Sequence, residues 1–111
     1  MANKQRMTGM LGFAMRAGKL VFGTDLILSA VAKNKVKLVV ASSGASASTK
    51  EKLKKKSDFY GVRYIEIEMS PSELGALFGK AYTPASVAVT DEGFAKEIVK
   101  AYEDTDAISN L

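Results

Sequence analysis

The groups in this chain with the most chemistry to offer are backbone amides, hydroxyls and lysines, not acids and bases. Neither Cys nor His occurs among the 111 residues. That removes disulfides, zinc knuckles and thiol nucleophiles, together with the side chain that most readily moves protons near neutral pH. Two carboxylate pairs remain, Glu66/Glu68 and Asp91/Glu92. The first falls on the exposed face of an expected strand and the second at a helix start, where the dipole favours acids, so neither suggests hydrolysis. No G-x-G-x-x-G or G-x-x-x-x-G-K-[ST] motif is present. Gly75 and Gly79-Lys80 have the wrong spacing for a phosphate loop and suit helix packing and a C-cap instead. No catalytic residue, metal site, cofactor or small-molecule substrate is expected.

A different kind of site is suggested by the junction Gly18-Lys19-Leu20-Val21-Phe22-Gly23-Thr24-Asp25. A glycine at a helix start lets the backbone approach a partner, and the free N–H groups of the first turn can hold phosphate or base acceptors; on local grounds Gly23 serves a tight turn equally well. The charge distribution adds to this. Residues 1–57 carry twelve Lys and Arg against Asp25 and Glu51, a net +10, whereas residues 58–111 carry four against ten acids, a net −6. Such asymmetry predicts a basic face that meets nucleic acid, although the run Lys50, Lys52, Lys54, Lys55, Lys56 also suits a merely solvated helix face.

The elements that must position these groups follow from periodicity. Met7, Met10, Leu11 and Ala14 give an amphipathic first helix that Gly18 ends. After a short extended piece, Lys19 to Phe22, a second helix opens at Gly23-Thr24-Asp25, buries Leu26, Ile27, Ala30 and Val31, and stops near Asn34. Val36 to Ala41 is a β-branched apolar run expected of a central strand covered on both faces. After the loop Ser42 to Ala47, Ser48-Thr49-Lys50-Glu51 predicts a capping box for a basic third helix ending near Tyr60-Gly61. Arg63 to Met69 alternates as a half-exposed strand. Ser70-Pro71-Ser72-Glu73 predicts a second capping box, leading Leu74, Leu77 and Phe78. Ala85 to Thr90 is a further strand, and Asp91 caps a last helix packed through Phe94, Ile98 and Tyr102. Alternating helices and strands predict one domain over 1–111, an α/β three-layer α/β/α sandwich with a small mixed sheet of about four strands, and residues 103–111 are expected as a frayed tail.

The segments LGFAMRAGKLVFGTDLILSAV (11–31), KVKLVVASSGASASTKEKL (35–53), Leu74-Gly75 with Gly79-Lys80, and ASVAVTDEGFA (85–95) together resemble the kink-turn RNA-binding family of ribosomal proteins, the L-seven-Ae and L-thirty-e type with its bacterial YlxQ-like branch. The resemblance runs over roughly residues 7 to 101. It implies an α/β/α sandwich that binds structured RNA, a helix–internal loop–helix with tandem sheared G·A pairs, through the start of the second helix and the loop before the last strand. On that basis Gly23 and Thr24 match the family's Gly-Thr/Ser, while Asp25, Leu26 and Ser29 stand where its best-known members have Asn, Glu and Lys. Tyr82, in the loop with Lys80, Thr83 and Pro84, is implied as a platform for an extruded base. Lys19, Lys33, Lys35 and Lys37 are expected along the same edge, neutralising phosphates, with Ser42, Ser43 and Ser46 adding contacts to sugar and phosphate.

The expected function is therefore non-catalytic binding of structured, ribosome-associated RNA by a monomer; the alternative is an interaction or structural module that kept the fold without specific RNA readout. A small enzyme acting on RNA or a nucleotide is a third possibility, since one fold hosts many functions. The polar start Met1 to Arg6 and the glycine-interrupted stretch after it predict no signal peptide or membrane span and a cytoplasmic protein.

Overall fold

The computed structural model describes residues 2–79 and 84–109, with side chains described over 5–79 and 84–104. The chain alternates as α1 (Ala2–Arg16), β1 (Leu20–Phe22), α2 (Thr24–Ala32), β2 (Leu38–Ser42), α3 (Ala47–Tyr60), β3 (Arg63–Ile67), α4 (Pro71–Phe78), β4 (Ser86–Val89) and α5 (Glu92–Ser109). The four strands lie in the order β1-β4-β2-β3. β4 runs antiparallel to both neighbours, with Phe22 opposite Val87 and Val40 opposite Val87, while β2 and β3 are parallel.

Every residue of β2 and β4 is buried, as their near-continuous apolar sequences require of strands covered on both faces. Alternate side chains feed two cores. Leu38, Val40, Ile65, Ile67, Val87 and Val89 meet α1, α4 and α5 through Leu11, Leu74 and Ile98. Val39, Ala41 and Ala88 meet α2 and α3 through Ile27, Val31 and Leu53. The three layers are thus as the alternation predicts.

The helix ends follow local chemistry. Ser70 and Glu73 form the reciprocal capping box that starts α4, with Pro71 in the first turn. Asp91 accepts from the Phe94 N–H at 2.9 Å and opens α5. The start of α3 departs from expectation: Ser46, not Ser48, is the N-cap, accepting from the Thr49 N–H at 3.1 Å. Leu26 also departs, being 65% exposed while Ile27 and Val31 are buried. On β3, Tyr64 donates to Glu66 at 3.1 Å. Burial, and then the adjacent Glu66 carboxylate, hold its hydroxyl protonated well above the usual tyrosine range.

α3 is fastened to the sheet by little apolar surface: its two buried residues are Leu53 and Ser57, and the Ser57 hydroxyl has no hydrogen-bond partner. Leu53→Ala should therefore cost about 2–5 kcal/mol. Ser57→Ala should stabilise by about 0.5–1 kcal/mol, since it removes an unpaired buried hydroxyl and improves helix propensity. Urea midpoints moving in opposite directions for the two variants, at unchanged slope, would bear this out; a destabilised Ser57→Ala would contradict it.

Candidate nucleic-acid interface

Because β4 is antiparallel to its neighbours, the ends of β1, β2 and β3 and the beginning of β4 lie at one end of the sheet. Three helices start there. Gly23 follows β1 and opens α2; Ser46 follows β2 and opens α3; Ser70 follows β3 and opens α4. Their dipoles place three partial positive charges at this end. The neighbouring segments are tied together: Ser42 N–H donates to Ala85 C=O at 2.8 Å and Ser43 N–H to Ile67 C=O at 2.9 Å. The Lys50 ammonium bridges from α3 to the Ser43 carbonyl at 2.8 Å and to Glu66 at 3.3 Å.

Of the three helix starts, α2 is the one without a side-chain cap. Ser46 and Ser70 cover the first turns of α3 and α4, whereas Gly23 has no side chain with which to do so. Its backbone, φ 94° and ψ 128°, lies where L-residues are strained. A Cβ there would nevertheless meet nothing within 4 Å. Gly23 is therefore required by backbone conformation, and the space above it is open to a partner. Asp25, Leu26 and Ser29 are all exposed beside it, and Asp25 makes no ion pair among the described residues. The exposed start of α2 thus carries an acid, an apolar chain and a hydroxyl.

The other expected site residues divide. Gly23 and Thr24 are half-buried at this end, with Asp25, Ser43 and Ser46 exposed. Ser46 is occupied as the α3 cap, accepting from the Thr49 N–H and donating to the Thr49 hydroxyl at 3.0 Å. Ser42 is a correction. It is fully buried, donating to the Met69 carbonyl and accepting from the Gly44 N–H at 3.0 Å; it pins the loop 43–46 to the end of β3 and offers nothing to RNA. Pro84 is likewise buried, so it anchors the entry into β4 rather than presenting a surface. Lys80, Tyr82 and Thr83 lie outside the described residues.

The lysines require a second correction. Lys37 N–H donates to Val89 C=O at 2.8 Å, and Thr90 N–H to Lys19 C=O at 2.9 Å, which sets both lysines where β4 ends. Lys33 is the C-cap of α2, and Lys35 follows it. Lys19, Lys33, Lys35 and Lys37 are therefore exposed at the opposite end of the sheet from Gly23, roughly 15 Å away at about 3.3 Å per strand residue. They do not flank the α2 start. The role of Lys50 in holding the Ser43 loop was hidden in the basic run; its spacing from Ser43 gives no signal until the fold brings the two together.

Fold and site define a small α/β/α domain whose sheet ends in an open helix start without a side-chain cap. The chain belongs to the ribosomal protein L7Ae/L30e/S12e/Gadd45 family, which matches residues 5–99. It is 37% identical over 102 residues to the RNA-binding protein YlxQ of Enterococcus faecium, covering 91% of this chain and 95% of that one. To the RNA-binding protein YlxQ of Bacillus subtilis it is 39% identical over 90 residues, covering 81% and 88%. A solved structure of a Bacillus halodurans protein of unknown function superposes with a TM-score of 0.83 at 30% identity, over 88% of this chain and 97% of that chain. No helix among the described residues is long and apolar enough to cross a membrane.

Gly23→Ala tests the demand on the backbone. It should cost about 1–3 kcal/mol of stability, the usual cost of a non-glycine residue in such a conformation, with no steric contribution because the position is open. A thermal melt unchanged from the parent would show that the junction relaxes freely.

Proposed function

We propose that this protein binds structured RNA, a kink-turn or a related internal loop, as a ribosome-associated cytoplasmic factor with no catalytic step of its own. The observation that carries the reading is the uncapped start of α2 at the sheet end where α3 and α4 also begin. Unpaired N–H groups in a positive local field suit phosphate and base acceptors, and the open space at Gly23 admits the edge of an opened groove. The family membership and the RNA-binding names of the relatives support the same partner class. Asp25 accepts from guanine N–H groups but cannot donate to guanine acceptors, and Leu26 makes no hydrogen bond. Readout at this site therefore relies on backbone donors and on shape more than in relatives that carry Asn and Glu there.

Titration of the full chain with a kink-turn hairpin, the same hairpin with its G·A pairs replaced by Watson–Crick pairs, and a plain duplex tests this. Binding should favour the first and weaken as salt is raised; equal affinity for all three would leave the fold without specific readout.

The double change Asp25→Asn with Leu26→Glu should tighten kink-turn binding by about 1–3 kcal/mol, the value of a good hydrogen-bonded pair to a base edge. Asp25→Asn gives up the acid's interaction with the α2 dipole, about 0.3–1 kcal/mol, and Leu26→Glu returns an acid to the same turn; Leu26 is already exposed, so a loss of folding is not expected. The gain should vanish with the G·A-replaced hairpin. Flat or reduced affinity for both RNAs would mean that Asp25 already makes a productive contact or that RNA docks elsewhere.

A further inference from the structure

α2 and α3 follow parallel strands and return along the same face of the sheet, so both begin at the Gly23 end and both finish at the other. Near the finish of α3 stands a group of side chains that the α2 start does not use. Phe59 is 82% exposed. Its ring rests edge-on against Tyr60, centroids 5.0 Å apart at 67°, and Tyr60 packs on the α2–α3 core. The exposed ring is thereby braced by a side chain anchored in the core.

Leu28, Lys52, Lys55, Lys56, Phe59 and Tyr60 line an open groove of about 470 Å³ between the two helices. Lys55 is paired with Glu51 at 3.0 Å, and the Lys56 ammonium lies 5.7 Å from the centre of the Tyr60 ring. Lys52 has no ion pair among the described residues.

We infer that this groove is a second RNA contact, taking a single-stranded segment with one unstacked base on Phe59 and the flanking phosphates on Lys52 and Lys56. A lone supported ring beside cations matches what such a segment needs, since every base offers a π-face and every step a phosphate. A duplex keeps its base faces stacked and cannot use the ring. A stable protein partner buries of the order of 800 Å² per side, polar and apolar together, more than so small a groove provides. Leu28 and Lys52 lie about 8–9 Å along their helices from the Gly23 end, and Phe59, thirteen residues past the Ser46 cap at about 1.5 Å each, stands roughly 20 Å from it. RNA docked at the α2 start therefore leaves the ring accessible, and this contact does not depend on how that start is read.

The test uses the full chain and a fluorescent twelve-nucleotide oligouridylate, followed by anisotropy with and without saturating unlabelled kink-turn hairpin. The parent should bind the oligonucleotide under both conditions. Phe59→Ala should weaken that binding by about 5- to 150-fold, the range for loss of a base–aromatic stack. Lys52→Gln with Lys56→Gln should flatten the slope of log K against log salt by about 1.4, at 0.7 per phosphate contact on a single strand. Both variants should keep the parent's melting temperature, as expected for surface positions, and Phe59→Ala should bind the hairpin within about twofold of the parent. Failure of the parent to bind the oligonucleotide, or equal binding by Phe59→Ala, overturns the inference. So does capture of polyglutamate in place of the oligonucleotide, lost in Phe59→Ala, which would assign the groove to an acidic protein. If the hairpin itself does not bind while the oligonucleotide results hold, only the reading of the α2 start falls.

Discussion

The antiparallel placement of β4 between β1 and β2 decides most of what this molecule can do. With β4 reversed, the three strands that run the other way all terminate at one end of the sheet, and the helix after each of them must begin there. Helix starts carry unpaired donors and partial positive charge, so the topology alone concentrates both at a single end. Burial enforces the arrangement: β2 and β4 expose no side chain, and a one-residue slip in either would exchange the side chains of the two cores. The loop Ser43–Ser46 then has little freedom. The buried Ser42 hydroxyl ties it to Met69 and Lys50 to its Ser43 carbonyl. Gly44 adds to this, since a Cβ there would come within 3.0 Å of Pro71.

Within this frame, α3 and α4 use their own side chains to satisfy their first turns and α2 does not. A serine, aspartate or asparagine at position 23 would cap α2, the usual stabilising choice, but only at a φ that such a residue adopts with strain. Glycine gives up the cap and leaves the donors to whatever arrives from outside. Asp25 partly offsets that loss, since an acid in the first turn is favoured by the dipole. The same charge lies on the surface that RNA would meet. Local stability and affinity for a polyanion therefore pull this position in opposite directions.

The layered fold and most element centres were legible in the sequence because they rest on short-range patterns. Ser70 and Glu73 are three residues apart with Pro71 between them, and the observed box forms from those residues alone. The cap of α3 was not legible in the same way. Ser46, Ser48 and Thr49 are all competent N-caps, and the choice falls to Ser46 because burial of Ala45 and the ties of Ser43 fix where the chain leaves the sheet. Leu26 falls outside the buried stripe because the roll of a nine-residue helix decides which apolar residues face the core; Ile27 and Val31 set that roll and turn Leu26 outward. The lysines were misplaced for a topological reason. Lys19 is four residues from Gly23, yet β1 spans the sheet between them, and Lys33 is separated from Asp25 by the length of α2.

The charge split of the chain acquires a spatial meaning from the layers. Residues 24–60, which hold α2, α3 and β2, carry eight lysines against Asp25, Glu51 and Asp58. α1, α4 and α5, on the other face, carry six acids against Lys4, Arg6, Arg16, Lys96 and Lys100, a net −1. A helix layer and the sheet are each about 10 Å thick, so the two outer surfaces lie further apart than the screening length of about 8 Å at physiological ionic strength. The opposite layer, close to neutral, therefore does little to cancel the basic one as seen by an approaching polyanion, and residues 24–60 alone carry a net +5 against +4 for the whole chain. On the proposed reading RNA is drawn to the α2–α3 side as a whole, and short-range features then decide where on that side it settles: the open backbone at Gly23 at one end, the exposed ring of Phe59 at the other. The far-end lysines serve the general attraction, because charge acts at a distance that hydrogen bonds and stacking do not.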